Sequence, residues 1–325
     1  MHKLILLDEK DTKKFLTMSE VLKATEFAFK CGAEGKVVMP CKVYLNLPQH
    51  GGDFRAMPAY IDKACGIKWV SAYPDNFRRN LRAISAIIIY SDPETGYPLA
   101  IIDGTYITNM RTGAAGAIAA KYLARKNSTT LGLVGAGEQA RTQLIAVKET
   151  FPNMDKVMVF GKDNTDTRLA QEMSKALTLN IQPVKTIEEV VKADIVITTT
   201  PSRQPLVKSE WILPGTHINA IGADAKGKQE LAPELLKKAR IVVDSKEQAC
   251  HSGEMNVPLS QGIIGIEDIA ATLGEVVAGS KQVRESDDDI TIFDSTGLAI
   301  QDIVVARTVL ENALKSGQVV SVDWS

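Results

Sequence analysis

The pattern of apolar residues predicts mainly short strands in the N-terminal third of this chain and alternating strands and helices in the rest. A short apolar run at residues 4–7 predicts a strand, and Thr17-Met-Ser-Glu20 has the form of a helix capping box. Beyond the box, apolar side chains recur at helical spacing on one face, at Val21, Ala24, Ala28 and Cys31. The chain is therefore expected to begin with a strand and an amphipathic helix.

The next segments are short, rich in β-branched residues and separated by Pro, Gly, Asn and Asp turns. This pattern predicts an antiparallel sheet or half-barrel. A helix over 105–124 should follow, since its small residues permit close packing. The predicted strands cover 37–47, 53–61, 66–72, 83–91 and 99–103.

From residue 129 onward, strand and helix patterns alternate, which is typical of a parallel sheet with helices on both faces. The helix predicted over 298–316 is expected to return to the first domain. Strands are predicted at 130–134, 156–160, 181–184, 194–199, 217–221, 240–244 and 290–293, with helices such as 139–150, 166–176 and 187–192 between them.

A dinucleotide-binding motif lies directly after the strand at 130–134 and directly before a helix. It has the form G-x-G-x-x-A: Gly135 permits a tight turn, Gly137 lets the backbone approach a pyrophosphate, and Ala140 allows close packing of helix on strand. The helix N-terminus offers unpaired amides to the phosphates. The context predicts a Rossmann domain.

The second strand of this domain lacks the acid that usually binds the ribose hydroxyls. Gly161 stands at that position and is followed by Lys162 and Asp163. Lys162 could meet a 2′-phosphate, which would favour NADP, whereas Asp163 could reach the ribose, which would favour NAD. The expected cofactor is therefore NAD or NADP, with the choice open.

Composition and charge exclude several classes of partner. With 325 residues the chain is long enough for two domains, and 45% hydrophobic and 24% charged residues are typical of a globular enzyme. A net charge of -1 favours neither nucleic acid nor a membrane surface. No run suggests a signal peptide or a membrane span, and neither the cysteines nor the histidines have metal-ligand spacing. We expect a cytoplasmic protein without a metal.

Several motifs, taken in order, resemble the ornithine cyclodeaminase/mu-crystallin family, and within it the archaeal-type alanine dehydrogenases. The resemblance covers nearly the whole chain, and the joint order and spacing of the motifs carry it. The motifs are Arg55-Ala-Met-Pro, Gly66-Ile-Lys-Trp-Val, Met110-Arg-Thr-Gly-Ala-Ala, Gly135-Ala-Gly-Glu-Gln, His217-Ile-Asn-Ala-Ile-Gly-Ala-Asp, Gly227-Lys and Phe293-Asp-Ser-Thr-Gly.

The resemblance implies an architecture. A discontinuous domain of residues 1–117 and 303–325 should bind substrate and form a homodimer, with sheets of two subunits closing a barrel. Residues 118–302 should form the Rossmann domain, with the cofactor between the domains.

Two residues are expected to act as acid and base. Lys68 lies in an apolar strand, where loss of solvent would lower its pKa, and it matches the active-site lysine of the family. Asp224 ends a strand at the ligand edge of the sheet and matches the acid/base aspartate of the family. His217, at a strand start, is interpreted as a structural histidine.

The resemblance also implies the binding residues. The expected substrate-binding residues are Lys42, Arg55, Lys68, Arg111 and Thr296. The expected cofactor-binding residues are Arg111, Gly135, Gly137, Glu138, Gln139, Gly161, Lys162, Asp163, Thr200, Ile221, Gly222, Ala223, Asp224, Lys228 and Ser295.

The predicted reaction is reversible oxidative deamination of L-alanine to pyruvate and ammonia, with a hydride passing from Cα to the cofactor. Ornithine cyclodeaminase begins with the same step, but the resemblance implies that cyclodeaminases have a glutamate where this chain has Arg55. Because an arginine repels a distal ammonium, alanine is favoured over ornithine. Two alternatives stay open: a ketimine or pyrroline-carboxylate reductase, and a mu-crystallin-like NADPH-binding protein.

Overall fold

A computed structural model describes residues 2–324, which form two compact units. The first unit contains the described residues up to Arg111 together with those from Leu298 onward. The second unit spans Thr112–Gly297.

Both units combine strands and helices. In chain order the strands are β1 (Lys3–Leu7), β2 (Val37–Val38), β3 (Val43–Leu47), β4 (Gly52–Ile61), β5 (Ala64–Ala72), β6 (Ile84–Ser91), β7 (Pro98–Asp103), β8 (Thr130–Val134), β9 (Lys156–Phe160), β10 (Asn180–Pro183), β11 (Ile195–Thr198), β12 (His217–Ala220), β13 (Arg240–Val243), β14 (Ile269–Thr272), β15 (Thr291–Asp294) and β16 (Val320–Asp323). The α-helices are α1 (Glu9–Lys14), α2 (Met18–Ala33), α3 (Gly104–Leu123), α4 (Glu138–Thr150), α5 (Thr165–Leu177), α6 (Ile187–Val190), α7 (Pro233–Lys238), α8 (Lys246–Ser252), α9 (Asn256–Ser260), α10 (Leu273–Val277) and α11 (Ala299–Ser316).

The first unit is built on an eight-stranded sheet in the order β16-β1-β7-β6-β5-β4-β2, with β3 also paired to β4. The strands from β2 to β7 pair antiparallel, as predicted, whereas β1 pairs with β7 in parallel. The strand predicted over 37–47 is wrong as a single element, because β2 and β3 pair with opposite ends of β4. Pro40 lies between them and has no backbone N–H to donate.

Helix α11 covers one face of this sheet. It packs against β4, β5 and β6 and against α2, and its residues from Ala299 to Ala306 are buried. Along β5, alternate residues from Lys68 to Ala72 are buried, while Trp69 between them is exposed. Lys68 therefore lies on the face of the sheet that the unit buries.

The second unit has an eight-stranded parallel sheet in the order β10-β9-β8-β11-β12-β15-β13-β14. This is the Rossmann-type arrangement that the alternating pattern predicts. Strands β11, β12 and β15 are buried along their whole length, as expected for a sheet covered on both faces. Strand β14 was not predicted, since Ile-Ala-Ala-Thr has too little strand character to be recognised.

The predicted domain boundaries differ from the division into units. The prediction changes domain after residues 117 and 302, whereas the units change after Arg111 and Gly297. The start of α11 belongs to the first unit because Gln301 and Asp302 hydrogen-bond to Arg111. None of the helices within residues 2–324 is long and apolar enough to cross a membrane.

Candidate functional site

The turn between β8 and α4 has the geometry that the glycine motif requires. Gly135 adopts φ 105°, and a Cβ there would lie 2.7 Å from the Thr199 hydroxyl. Gly137 is the N-cap of α4, and an added Cβ there would meet no atom within 4 Å. Ala140 is fully buried. The backbone at Gly137 is therefore open to close approach by a phosphate, at the positive end of a helix.

A cavity of about 390 Å³ adjoins this turn. Its apolar lining includes Val134, Phe160, Ile187 and Leu206. Five predicted cofactor residues also line it: Gly135, Gly137, Gly161, Lys162 and Thr200. Glu138 and Gln139 form the first turn of α4. An apolar cleft edged by backbone amides suits a dinucleotide.

The end of β9 explains why the usual acid is missing. A Cβ on Gly161 would lie 2.5 Å from the Thr165 hydroxyl and 2.9 Å from the Ala136 Cβ. Asp163 occupies an exposed turn with φ 55°, while Lys162 lines the cavity. The charged residue that lines the cavity just after β9 is therefore a lysine.

Asp224 lies in the segment that follows β12 and pairs with another predicted residue. The Lys228 ammonium donates to Asp224 Oδ1 at 2.5 Å, and both side chains are partly exposed. Ala232, not Asp224, is the N-cap of α7. The structure thus brings together the predicted acid/base aspartate and a predicted cofactor-binding lysine.

A buried glutamate that the sequence analysis missed ties the ends of β11 and β12. Glu230 Oε1 accepts from the backbone N–H and hydroxyl of Thr200, at 2.6 and 2.7 Å. Its Oε2 accepts from the Thr198 hydroxyl at 2.7 Å and from Gly222 N–H at 2.9 Å. Burial raises the pKa of Glu230. Its carboxyl group therefore fixes both the cavity wall at Thr200 and the segment that leads to Asp224.

Thr296 and Ser295 follow β15 in a buried, hydrogen-bonded turn. The Thr296 hydroxyl and N–H both donate to Asp244, at 2.8 and 2.7 Å, and Ser295 N–H donates to the Ala220 carbonyl. Just before them, burial raises the pKa of Asp294 to about 7. Asp244 thus orients the residue that we expect to border the substrate.

In the first unit, Lys68 is almost completely buried at 1% exposure. Its Nζ donates to Asp302 Oδ2 at 2.7 Å and to the Thr108 hydroxyl at 3.4 Å. Burial lowers the pKa of Lys68 to about 7, with Arg111 and Lys42 acting in the same direction and Asp302 opposing them. A lysine in this state can gain and lose a proton at neutral pH.

Arg111 is joined to Lys68 through the same carboxylate. Its Nε donates to Asp302 Oδ1 at 3.0 Å, and its NH1 donates to Gln301 Oε1 at 3.3 Å. The sequence analysis missed Asp302 and Gln301. The sequence carried a signal, because Asp302 is followed by four apolar residues in the first turns of a predicted buried helix, and a buried acid needs a partner.

Arg55 is buried, but it is not an isolated cation. Its Nε donates to Asp53 Oδ1 at 2.7 Å, and its guanidinium lies 5.4 Å from the centre of the Tyr44 ring. The expectation that Arg55 repels an ammonium by its own charge must be corrected, because Asp53 neutralises it. Lys42 is half-buried, and its charge acts on Lys68.

His217 has the environment of a structural residue. It is fully buried, and its ring nitrogens contact the Thr291 hydroxyl at 2.9 Å and Asn219 Oδ1 at 3.0 Å. Burial lowers the pKa of His217 to about 3, so the ring is neutral. A neutral imidazole held on both sides is a poor proton acceptor, as the sequence interpretation expects.

Comparisons with known proteins identify the family to which the chain is similar. A model of the ornithine cyclodeaminase/mu-crystallin family matches residues 2–317. An alanine dehydrogenase of Archaeoglobus fulgidus is 50% identical over 312 residues, which is 95% of each chain.

Two solved structures are similar over nearly the whole chain. One is an archaeal alanine dehydrogenase dimer with bound NAD, at 48% identity and a TM-score of 0.96, covering 99% of this chain and 100% of that one. The other is the Thermococcus litoralis Delta(1)-pyrroline-2-carboxylate reductase in complex with NADH and L-proline, at 41% identity and a TM-score of 0.95, with the same coverage.

Proposed function

This chain belongs to the ornithine cyclodeaminase/mu-crystallin family, and we propose that it is a nicotinamide-dependent dehydrogenase that interconverts L-alanine with pyruvate and ammonia. The observation that carries the proposal is the buried Lys68, paired with Asp302 and beside Arg111, with a pKa of about 7. Active sites are where burial and neighbouring charges typically shift the pKa of a lysine towards neutral pH.

The second unit fits a nicotinamide dinucleotide. The open backbone at Gly137, the first turn of α4 with Glu138 and Gln139, and the cavity wall at Thr200 would hold its phosphates and ribose. Lys162 is placed to meet a 2′-phosphate, so both NAD and NADP remain candidates. When bound, such a cofactor takes up or returns two electrons at the substrate carbon.

The residues of the chain would supply charge and protons. Arg111 and Lys42 are assigned to the substrate carboxylate, because a guanidinium and an ammonium suit that group. Lys68 is assigned to move the proton of the substrate nitrogen or of the attacking water, and Asp224 to the second acid/base role. The ion pair of Asp224 with Lys228 is compatible with this assignment, since the lysine holds the carboxylate in one orientation.

The choice of alanine over ornithine rests on a neutral pair. Arg55 pairs with Asp53, so the Asp53 carboxylate is already engaged and offers no excess negative charge to a distal ammonium. A short apolar side chain needs no such partner. The 50% identity to an alanine dehydrogenase supports the same substrate.

Reduction of a cyclic imino acid is a second candidate. The relative that was crystallised with NADH and L-proline is 41% identical. The same cations could hold the carboxylate of a pyrroline carboxylate, and Lys68 could protonate its nitrogen.

We also propose a homodimer. The face of the first sheet opposite α11 exposes a row of apolar side chains, which a second subunit could bury in the predicted barrel: Val43, Leu45, Trp69, Ile87 and Ile89. Light scattering should give a mass near twice the 35.3 kDa of the chain. A monomer at micromolar concentration would rule this assembly out. The cytoplasmic location stays a prediction.

The deciding experiment mixes purified protein with L-alanine and NAD or NADP and follows absorbance of the reduced nicotinamide. Reduction supports the dehydrogenase and identifies the cofactor. Proline and ammonia from L-ornithine without net reduction would instead show a cyclodeaminase. Oxidation of NADH or NADPH by pyrroline-2-carboxylate, without activity on alanine, would show the reductase.

A further inference from the structure

Asp302 occupies an unusual position for a charged residue. It lies in the first turn of α11, next to Gln301 and followed by the apolar residues 303–306, and it is completely buried. Burying a carboxylate is costly unless it is paired and hydrogen-bonded. The helix N-terminus favours a negative charge, but only modestly. The position therefore requires partners that compensate for the lost solvent.

Both oxygens of Asp302 bind cations from other parts of the first unit. Oδ2 accepts from Lys68 Nζ at 2.7 Å, and Oδ1 accepts from Arg111 Nε at 3.0 Å. The two cations come from β5 and α3, so one carboxylate links three elements. Gln301, the preceding residue, adds a contact to Arg111 NH1.

The charge balance of this cluster leaves a positive excess. Asp302 supplies one negative charge, whereas the two cations that it contacts, protonated Lys68 and Arg111, supply two positive charges. An anionic group such as a substrate carboxylate would complete the balance. Asp302 therefore stabilises two buried cations but neutralises only part of the positive charge of the site.

We propose that Asp302 is the positioning residue of this site: its two oxygens hold Lys68 and Arg111 in place, and its charge stabilises the protonated form of Lys68. The catalytic part of this inference rests on the proposed function, because it needs Lys68 as the acid/base group. The effect of the Asp302 charge on Lys68 does not depend on the proposed function, and it can be measured in the protein without substrate.

The sign of the effect follows from the groups that face Lys68. Asp302 from α11 raises its pKa, whereas burial, Arg111 from α3 and Lys42 lower it, and Thr108 is a neutral partner. In Asp302→Asn the shape is kept and the negative charge is lost. The pKa of Lys68 should then fall below about 7, by roughly 1–3 units, the range for loss of a close opposite charge.

The test is NMR of protein that carries lysine labelled at the ε-carbon, titrated without ligand. Loss of one signal in Lys68→Met assigns Lys68. Asp302→Asn should lower its midpoint, whereas Thr108→Val, which removes a neutral partner at 3.4 Å, should shift it less. Glu311→Gln, an exposed acid-to-amide change in the same helix, is the matched control and should leave it unchanged.

An unchanged Lys68 midpoint in Asp302→Asn would overturn the proposal. If that variant does not fold, wild-type protein labelled at the aspartate carboxyl provides the measurement. The Asp302 signal should then shift at the midpoint of Lys68, and an Asp302 signal that does not follow the Lys68 titration would overturn the proposal equally.

A kinetic readout separates this inference from the proposed function. In the reducing direction Lys68 must carry a proton, so the rate falls as pH rises through its pKa. In Asp302→Asn that alkaline limb should move to lower pH by the same amount as the NMR midpoint. If the NMR midpoint moves and the pH–rate profile does not, Asp302 has its proposed effect and the acid/base role of Lys68 is wrong.

Discussion

Gly161 provides a sharp test of how this site binds its cofactor. In many Rossmann domains an acid at this position binds the ribose, so Gly161→Asp would be expected to improve NAD binding. The structure predicts the opposite. A Cβ there would lie 2.5 Å from the Thr165 hydroxyl and 2.9 Å from both the Ala136 Cβ and the Asp166 backbone nitrogen.

The expected loss of NAD affinity follows from the displacement of the phosphate-binding turn. Ala136 lies between Gly135 and Gly137 in the phosphate-binding turn, so relief of the contact displaces the turn. Overpacking of this kind costs about 1–3 kcal/mol. If about half of that cost falls on the bound state, NAD affinity should drop by roughly two- to tenfold, since about 1.4 kcal/mol corresponds to a factor of ten. Gly161→Ala and Gly161→Asp should both show this loss.

The assay is titration of each variant with NADH, followed by fluorescence, together with thermal unfolding. Gly32→Ala is the matched control, because its added Cβ would lie 3.6 Å from Ile300 Cδ1, an ordinary contact. Tighter NADH binding by Gly161→Asp, with an unchanged thermal midpoint, would refute the steric reasoning. It would show that the turn accommodates an acid after all.

Three further predictions concern single residues. Lys68→Met should lower kcat by roughly 10²–10⁴-fold and leave the Kd for NADH unchanged; turnover within a few-fold of wild type would remove Lys68 from the mechanism. Lys162→Ala should weaken NADPH binding more than NADH binding if Lys162 meets the 2′-phosphate, and equal losses would argue against that contact. His217 stays neutral in the folded protein, because its pKa is about 3 instead of the ordinary 6.5. Below about pH 6.5 the unfolded chain therefore binds a proton that the folded chain does not, and the free energy of unfolding falls. In His217→Gln the loss of stability relative to wild type, measured by urea unfolding, should therefore shrink between pH 7 and pH 5; a constant difference would contradict the buried neutral ring.

Local sequence patterns determined much of the fold of this protein and part of its candidate site. The glycine turn from Gly135, the alternation of strands and helices after it, and the antiparallel strands before it were all recognisable in the sequence. Each depends on neighbouring residues, such as a glycine that must adopt φ 105° or apolar residues at a fixed period. Lys68 was also recognisable, because a lysine in an apolar strand is unusual and matches a family motif.

The tertiary structure decided which of these residues meet. Asp302 binds Lys68 across 234 positions of the chain, and Glu230 joins Thr198 at the end of β11 to Gly222 in the segment after β12. It also divided the segment 37–47 between two ends of β4. The physical reason is that the proton affinity and net charge of a buried group depend on its partners in space. Sequence periodicity shows that a side chain is buried but does not identify the charge beside it.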